Sequence, residues 1–124
     1  MTQQSMQILV AGPYRSGTSD DPVLIAQNVS AMTDVAIKLY KMGHLPVLGE
    51  WVALPLIEAA GSKQTGDAVF NDLFHPVAIR LLEHCDGVLR IGGASAGADE
   101  MMNYGKRLEK QLFYDLSEIP FLNE

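Results

Sequence analysis

Short apolar runs that end in glycine- or proline-containing loops alternate along this chain with stretches of helical periodicity, and that alternation constrains the fold more than any other feature. The first run, Gln7-Ile8-Leu9-Val10-Ala11, stops at Gly12-Pro13. The second, His44-Leu45-Pro46-Val47-Leu48, runs into Gly49-Glu50-Trp51, where a βα loop is expected, and the third, Gly87-Val88-Leu89-Arg90-Ile91, runs into the small-residue stretch Gly92 to Ala98. Gln111-Leu112-Phe113-Tyr114-Asp115 is the fourth, and Ile119-Pro120-Phe121 adds a short edge. Runs of this length bounded by turn residues read as buried strands. Pro46 cannot donate to a ladder, so the second strand belongs at an edge or begins there.

Between the strands the spacing changes to that of helices. Asp20-Asp21-Pro22 has an acidic N-cap followed by proline at the first helical position, where its missing donor costs nothing. Ile25, Val29, Met32, Ala36 and Leu39 follow on one face, and Gly43 supplies the stop. Further helices are expected over Val52 to Ala60, Pro76 to Cys85 and Asp99 to Leu108, with a polar loop from Gly61 to Gly66. Strands alternating with helices imply βαβ units and a parallel sheet covered on both faces. The expected fold is α/β, a flavodoxin-like three-layer sandwich with a four- to five-stranded parallel sheet in the order 2-1-3-4-5. Such sheets bind ligands beyond the strand carboxyl ends, at the switch between the first and third strands.

With 124 residues and no linker or internal repeat, the chain reads as one domain, 1–124. Apolar residues make up 48% and charged residues 19%, a globular balance, and no apolar run reaches a membrane span. The polar stretch Met1 to Ser5 lacks the basic region and cleavage site of a signal peptide, so a cytoplasmic location is expected. A net charge of −6 without a basic field argues against a nucleic acid polymer as partner. It leaves room for one phosphate held locally. Cys85 is the only cysteine and reads as a small core residue among leucines; no Cys/His spacing matches a metal site, and no cofactor is called for.

Two loops carry the candidate chemistry. In Gly12-Pro13-Tyr14-Arg15-Ser16-Gly17 the glycines let backbone amides approach an anion, Arg15 offers a fork for phosphate or carboxylate, and Ser16 adds a hydroxyl. Tyr14 can stack on a base or donate to a sugar oxygen; a tight turn with a solvated arginine is the alternative. Gly92-Gly93-Ala94-Ser95-Ala96-Gly97-Ala98 opens a helix, whose exposed amides suit an oxyanion with Ser95 assisting. Close packing of strand on helix demands the same small residues. Glu50 and Trp51, at the end of the second strand, line the same pocket with an acceptor and an aromatic face, unless the tryptophan belongs to the core. His84 reads as solvated, and His75 as a cap or an acid/base group.

Taken in order, Ile8 to Gly17, Pro46 to Ala53, Cys85-Asp86-Gly87-Val88 and Ser95-Ala96-Gly97-Ala98 make a pattern that resembles the nucleoside 2-deoxyribosyltransferase family and its relatives that hydrolyse deoxynucleoside 5′-phosphates. The resemblance extends over nearly the whole chain. It implies a homodimer or higher homo-oligomer that cleaves the N-glycosidic bond of a nucleoside or nucleoside monophosphate. It also implies a glutamate nucleophile at the start of the last major helix. Counted from Ser95 and Gly97, that glutamate falls on Met101, and a thioether cannot take its place. Glu100 lies one residue earlier, turned by about 100° on an ideal helix, and reaches the pocket only if the loop is shifted. The family's assisting aspartate falls on Ala78, with Asp72 and His75 nearby.

Two functions follow. In the enzyme, Glu100 is the nucleophile, Asp72 or His75 assists, Tyr14 orients the sugar or base, and Arg15, Ser16 and Ser95 hold a phosphate or hydroxyl. In the binder, the pocket is kept without hydrolysis or transfer, as a sensor or carrier. A glycine-loop phosphoribohydrolase would share the chemistry, but its threonine and second glutamate are missing here.

Overall fold

The computed structural model describes residues 4–122. The first three residues of the polar N-terminal stretch, read above for a leader, lie outside the described residues, as do 123–124. Along the chain come β1 (Gln7–Ala11), α1 (Pro22–Lys41), β2 (Leu45–Val47), α2 (Gly49–Ala59), α3 (Ala68–Glu83), β3 (Gly87–Arg90), α4 (Ala96–Arg107) and β4 (Gln111–Phe113), then a 3₁₀ turn at Leu116–Glu118. All pairings are parallel, and the strands lie in the order β2-β1-β3-β4. The architecture is the flavodoxin-like three-layer α/β sandwich, with four strands.

Strand alternation sorts the core into two layers. Ile8 and Val10 of β1, with Leu89 and Phe113, face Met32, Ala36 and Leu39 of α1. Leu9 and Ala11, with Val88, face Ala78 and Leu82 of α3 and Ala98, Met101 and Met102 of α4. Ile8, Leu9, Leu39, Leu82 and Leu89 are fully buried, and each contributes roughly 1.5–3 kcal/mol relative to exposure. Cys85 lies in the second layer. A third cluster of Ala53, Ile57 and Phe70, flanked by Tyr14 and Phe74, joins α2 to α3.

The first helix is built as its sequence dictates: Asp21 accepts from the Val23 amide at 2.9 Å, Pro22 is the first residue, and Gly43 leaves in the left-handed region at φ +102°. Three other expectations need correction. α2 begins at Gly49, not Val52, so Glu50 and Trp51 stand on its first turn rather than in a loop. α3 begins at Ala68, eight residues before Pro76, which sits inside the helix and has no amide to donate there. Finally, 119–121 adds no strand. Ile119 packs into the α1 layer, and the segment beyond it returns to the amino end of the sheet, where the Leu122 amide donates to the Met42 carbonyl at 2.7 Å.

His44, buried to 2% exposure, fastens that end. Its Nδ1 accepts from the Met6 amide at 3.1 Å, so Nε2 carries the hydrogen and donates to the Pro120 carbonyl at 2.7 Å. No helix among the described residues is long and apolar enough to cross a membrane.

The α2–α3 hairpin is organised by Asp67. Its carboxylate accepts from the amides of Phe70 (2.9 Å), Lys63 (2.8 Å) and Gln64 (3.3 Å) and from the Ser62 hydroxyl (2.8 Å). These bonds, the Phe70 amide first, hold the Asp67 carboxyl at about 2, below its ordinary 3.8. A depressed folded-state value means the stabilisation is complete above pH 3.8 and is lost as pH falls through about 2. Asp67→Ala is expected to lower Tm at neutral pH by a few degrees and to release hydrogen-exchange protection at the Phe70 and Lys63 amides. Between pH 4 and 2 the wild type loses that protection too, whereas the variant has none left to lose.

Candidate functional site

The chain leaves β1 toward α1 on one face of the sheet and leaves β3 toward α4 on the other, and the two strands are neighbours in register, Ala11 beside Arg90. Their carboxyl ends therefore part around a cleft. It has a volume of about 320 Å³. Leu9 and Val10 floor it, and its walls come from the β1–α1 loop, the first turns of α2 and α4, and one face of α3.

One wall is aromatic. Phe70 and Phe74, one turn apart on α3, stack at 4.8 Å between centroids, and Tyr14 joins Phe74 at 5.1 Å and Phe70 at 6.4 Å. The Asn28 side chain holds the loop in place by donating to the Tyr14 carbonyl at 2.9 Å. Burial pushes the Tyr14 phenol up, the Glu50 carboxylate pushes it further, and Arg15 opposes both.

Another part of the lining is the N-terminus of α4. Ser95 is buried and caps the helix, its hydroxyl accepting from the Ala98 amide at 3.1 Å. The amides of Ala96 and Gly97 ahead of it find no acceptor among the described residues, and Gly97 and Ala98 line the cleft. His75 leans against this turn: a β-carbon on Gly97 would lie 3.0 Å from its Cε1.

Glu50, 8% exposed, also lines the cleft. Burial raises its carboxyl from the usual 4.5 to about 7, and a bond from its own backbone amide only partly compensates. Such a group is poised to donate or accept a proton near neutrality. The remaining cation is Arg15, the only Lys or Arg among the described residues lining the cleft. Its guanidinium lies 5.5 Å from the Phe70 ring centroid, and Asp20 grips it at 2.8 and 2.9 Å.

Of the residues expected from sequence, Gly12, Tyr14, Arg15, Ser16, Glu50, His75, Ser95, Gly97 and Ala98 meet in this cleft. The others do not line it. Pro13 packs against Gly92, where a β-carbon would come within 2.6 Å of the Pro13 ring, while Gly17 and Gly93 face open space. Arg90 holds the Gly92-Gly93 loop shut by donating to the Ile91 and Gly93 carbonyls while paired with Asp99 at 3.0 Å. Trp51, next to Glu50 on α2, turns outward and is 44% exposed. Asp72 is exposed on α3, so no assisting carboxylate comes from there.

The expected nucleophile also needs correction. Because α4 starts directly after Ser95 with no shift of the loop, Glu100 projects to solvent, and Met101, 6% exposed, takes the position facing the cleft. Sequence reasoning missed Phe70, Asn71 and Phe74. Their signal was Asp67 three residues before Phe70, an N-cap that starts the helix early. Among the described residues no group of three or more His, Cys, Asp or Glu could hold a metal ion.

Compared with known proteins, the sequence matches no family model and no curated relative.

The raised carboxyl of Glu50 has a stability signature. A folded-state value of about 7 against an ordinary 4.5 means that the folded chain holds a proton the unfolded chain has released. Stability is therefore full below pH 4.5 and falls as pH rises through about 7, by about 3 kcal/mol in total. Glu50→Gln keeps the shape and removes the titration. Urea unfolding of both proteins from pH 4.5 to 8 is expected to show the variant gaining on the wild type by that amount; parallel profiles would place the Glu50 titration elsewhere.

Proposed function

We propose that this domain binds a nucleoside or nucleoside 5′-monophosphate and holds it with the N-glycosidic bond intact. The observation that carries this is the presence of two unlike surfaces in one cleft of about 320 Å³, an aromatic cluster and a capped helix N-terminus. A base has flat faces that aromatic rings match, and a phosphate has oxyanions that free helix amides match. Glu50 lines the same cleft, where a sugar hydroxyl or base edge would offer it both donors and acceptors. Ser16, Ser95 and Arg15 line the same cleft and supply polar groups suited to an anionic end.

Against bond cleavage by the double-displacement route stands Met101. That route needs an ionised carboxylate against the anomeric carbon, and a thioether has no negative charge to offer there. Glu50 is the only carboxylate among the described lining residues, and at about 7 it is close to half protonated at neutral pH, which suits it to hydrogen bonding as donor and as acceptor. The scaffold thus fits a sensor or carrier better than a transferase or hydrolase. The homo-oligomer implied by the family resemblance belongs to the same proposal, and the apolar outer face of α2, with Trp51, Val52 and Leu56 exposed, is a surface suited to it.

The test is a ligand-stabilisation screen with nucleosides and their 5′-monophosphates, followed by chromatography of the products. A ligand that binds only the folded state raises Tm, and at least one of these is expected to do so without release of free base. Phe74→Ala is expected to weaken nucleoside and monophosphate alike, by about fivefold to a hundredfold, the range found when a base loses an aromatic partner. Base release by the wild type would return the protein to the enzymes, and absence of any ligand-induced shift would remove the nucleotide altogether.

A further inference from the structure

The grip of Asp20 on Arg15 decides what the anionic end of the cleft can offer. Both contacts run from the guanidinium to the carboxylate, Nε to Oδ1 at 2.8 Å and Nη2 to Oδ2 at 2.9 Å, so the fork that would receive a phosphate is already filled by a carboxylate. The pairing raises Arg15 and lowers Asp20, each through the hydrogen bond first. The guanidinium is further seated on Phe70 at 5.5 Å and on Gly66, where a β-carbon would come within 2.6 Å of Nη2. It therefore spans from the β1–α1 loop to the α2–α3 hairpin.

The turn that delivers Asp20 is unusual. Ser19 and Asp20 are consecutive non-glycine residues in the left-handed region, at φ +50° and +59°. Thr18, buried at the base of the turn, fixes them: its hydroxyl donates to the Arg15 carbonyl at 2.6 Å and accepts from the Asp20 amide at 3.1 Å. Such a conformation persists only where its surroundings over-determine it. Here its effect is to bring an acid back onto an arginine five residues earlier. The other ionisable groups lining the cleft are Glu50, Tyr14 and His75, and none adds a permanent positive charge.

We propose that Asp20 is an internal competitor for the ligand's phosphate, occupying Arg15 until the phosphate displaces it and so setting the preference of the cleft between monophosphate and neutral nucleoside. This rests on the nucleotide proposal above. A neutral nucleoside leaves the pair intact and is indifferent to it. A monophosphate gains Arg15 only by releasing Asp20 to water, and its affinity is lowered by whatever the pair contributes.

Asp20→Asn removes the charge while keeping the shape and the tolerance for positive φ, and Asp20→Gly, unstrained at that φ, is the second variant. Calorimetric titration with nucleosides and their 5′-monophosphates is expected to show monophosphates binding both variants about three- to fivefold more tightly than wild type, the range an exposed ion pair allows. Nucleosides are expected to bind all three proteins equally, and the gain to vanish when Arg15→Ala is added. Unchanged or weaker monophosphate binding in both variants would overturn the proposal and make Asp20 a positioning group for Arg15. Titration with inorganic phosphate, followed by the NMR signal of Arg15 Nε–H, separates the two levels. A larger shift in Asp20→Asn than in wild type, with no nucleotide bound by either, would sink the nucleotide proposal and leave the competition standing, whereas no shift in either protein would sink the competition itself.

Discussion

β1 is the element on which the rest of this structure depends. It is the one strand that pairs on one side with β2 and on the other with β3, and both of its faces are covered, by α1 on one and by α3 and α4 on the other. A parallel strand in that position cannot be reached by a hairpin, so every neighbour arrives through a crossover. Because α1 and α4 depart to opposite faces from adjacent strand ends, the backbone itself opens the cleft. No side chain has to be sacrificed to make room there; the side chains only decide what the opening holds.

What they provide is an unusual balance of charge. One arginine, one carboxyl near neutrality and one histidine share the site with three aromatic rings. Each charge is conditioned by a neighbour: Glu50 by burial, Tyr14 by burial and by Glu50, Arg15 by Asp20. The cleft is thus neither a cationic trap for any phosphate nor an apolar slot for any ring, and selectivity has to arise from ligands that satisfy both walls together.

Much of the fold was legible in the sequence, since β1, α1 and β3 carry their own punctuation: Gly12-Pro13, Asp21-Pro22, Gly43 and the Gly92-Gly93 turn. The site was legible where it sits on that punctuation, at Tyr14, Arg15, Ser95 and Gly97. It was obscured where a stronger local signal concealed a weaker one. Pro76 has the look of a first helical residue, so the cap at Asp67 and the aromatic pair Phe70 and Phe74 were passed over. Gly49 has the look of a loop, although Leu48, extended and without a capping side chain, hands the chain directly into α2. Glu100 is the clearest case: a carboxylate one place from the position the resemblance implies is equivalent in composition and about 100° away in geometry.

The outward turn of Trp51 has a practical side. As the only tryptophan in the chain, half in solvent on the first turn of α2 and adjacent in sequence to Glu50, it makes the intrinsic fluorescence of this protein a report on the rim of the cleft. Emission and quenching of that single indole follow how the helix end is packed and hydrated, while the buried layers around β1 contribute no tryptophan signal of their own. A change in emission that precedes the loss of far-ultraviolet circular dichroism would mark the loosening of that helix end ahead of the sheet.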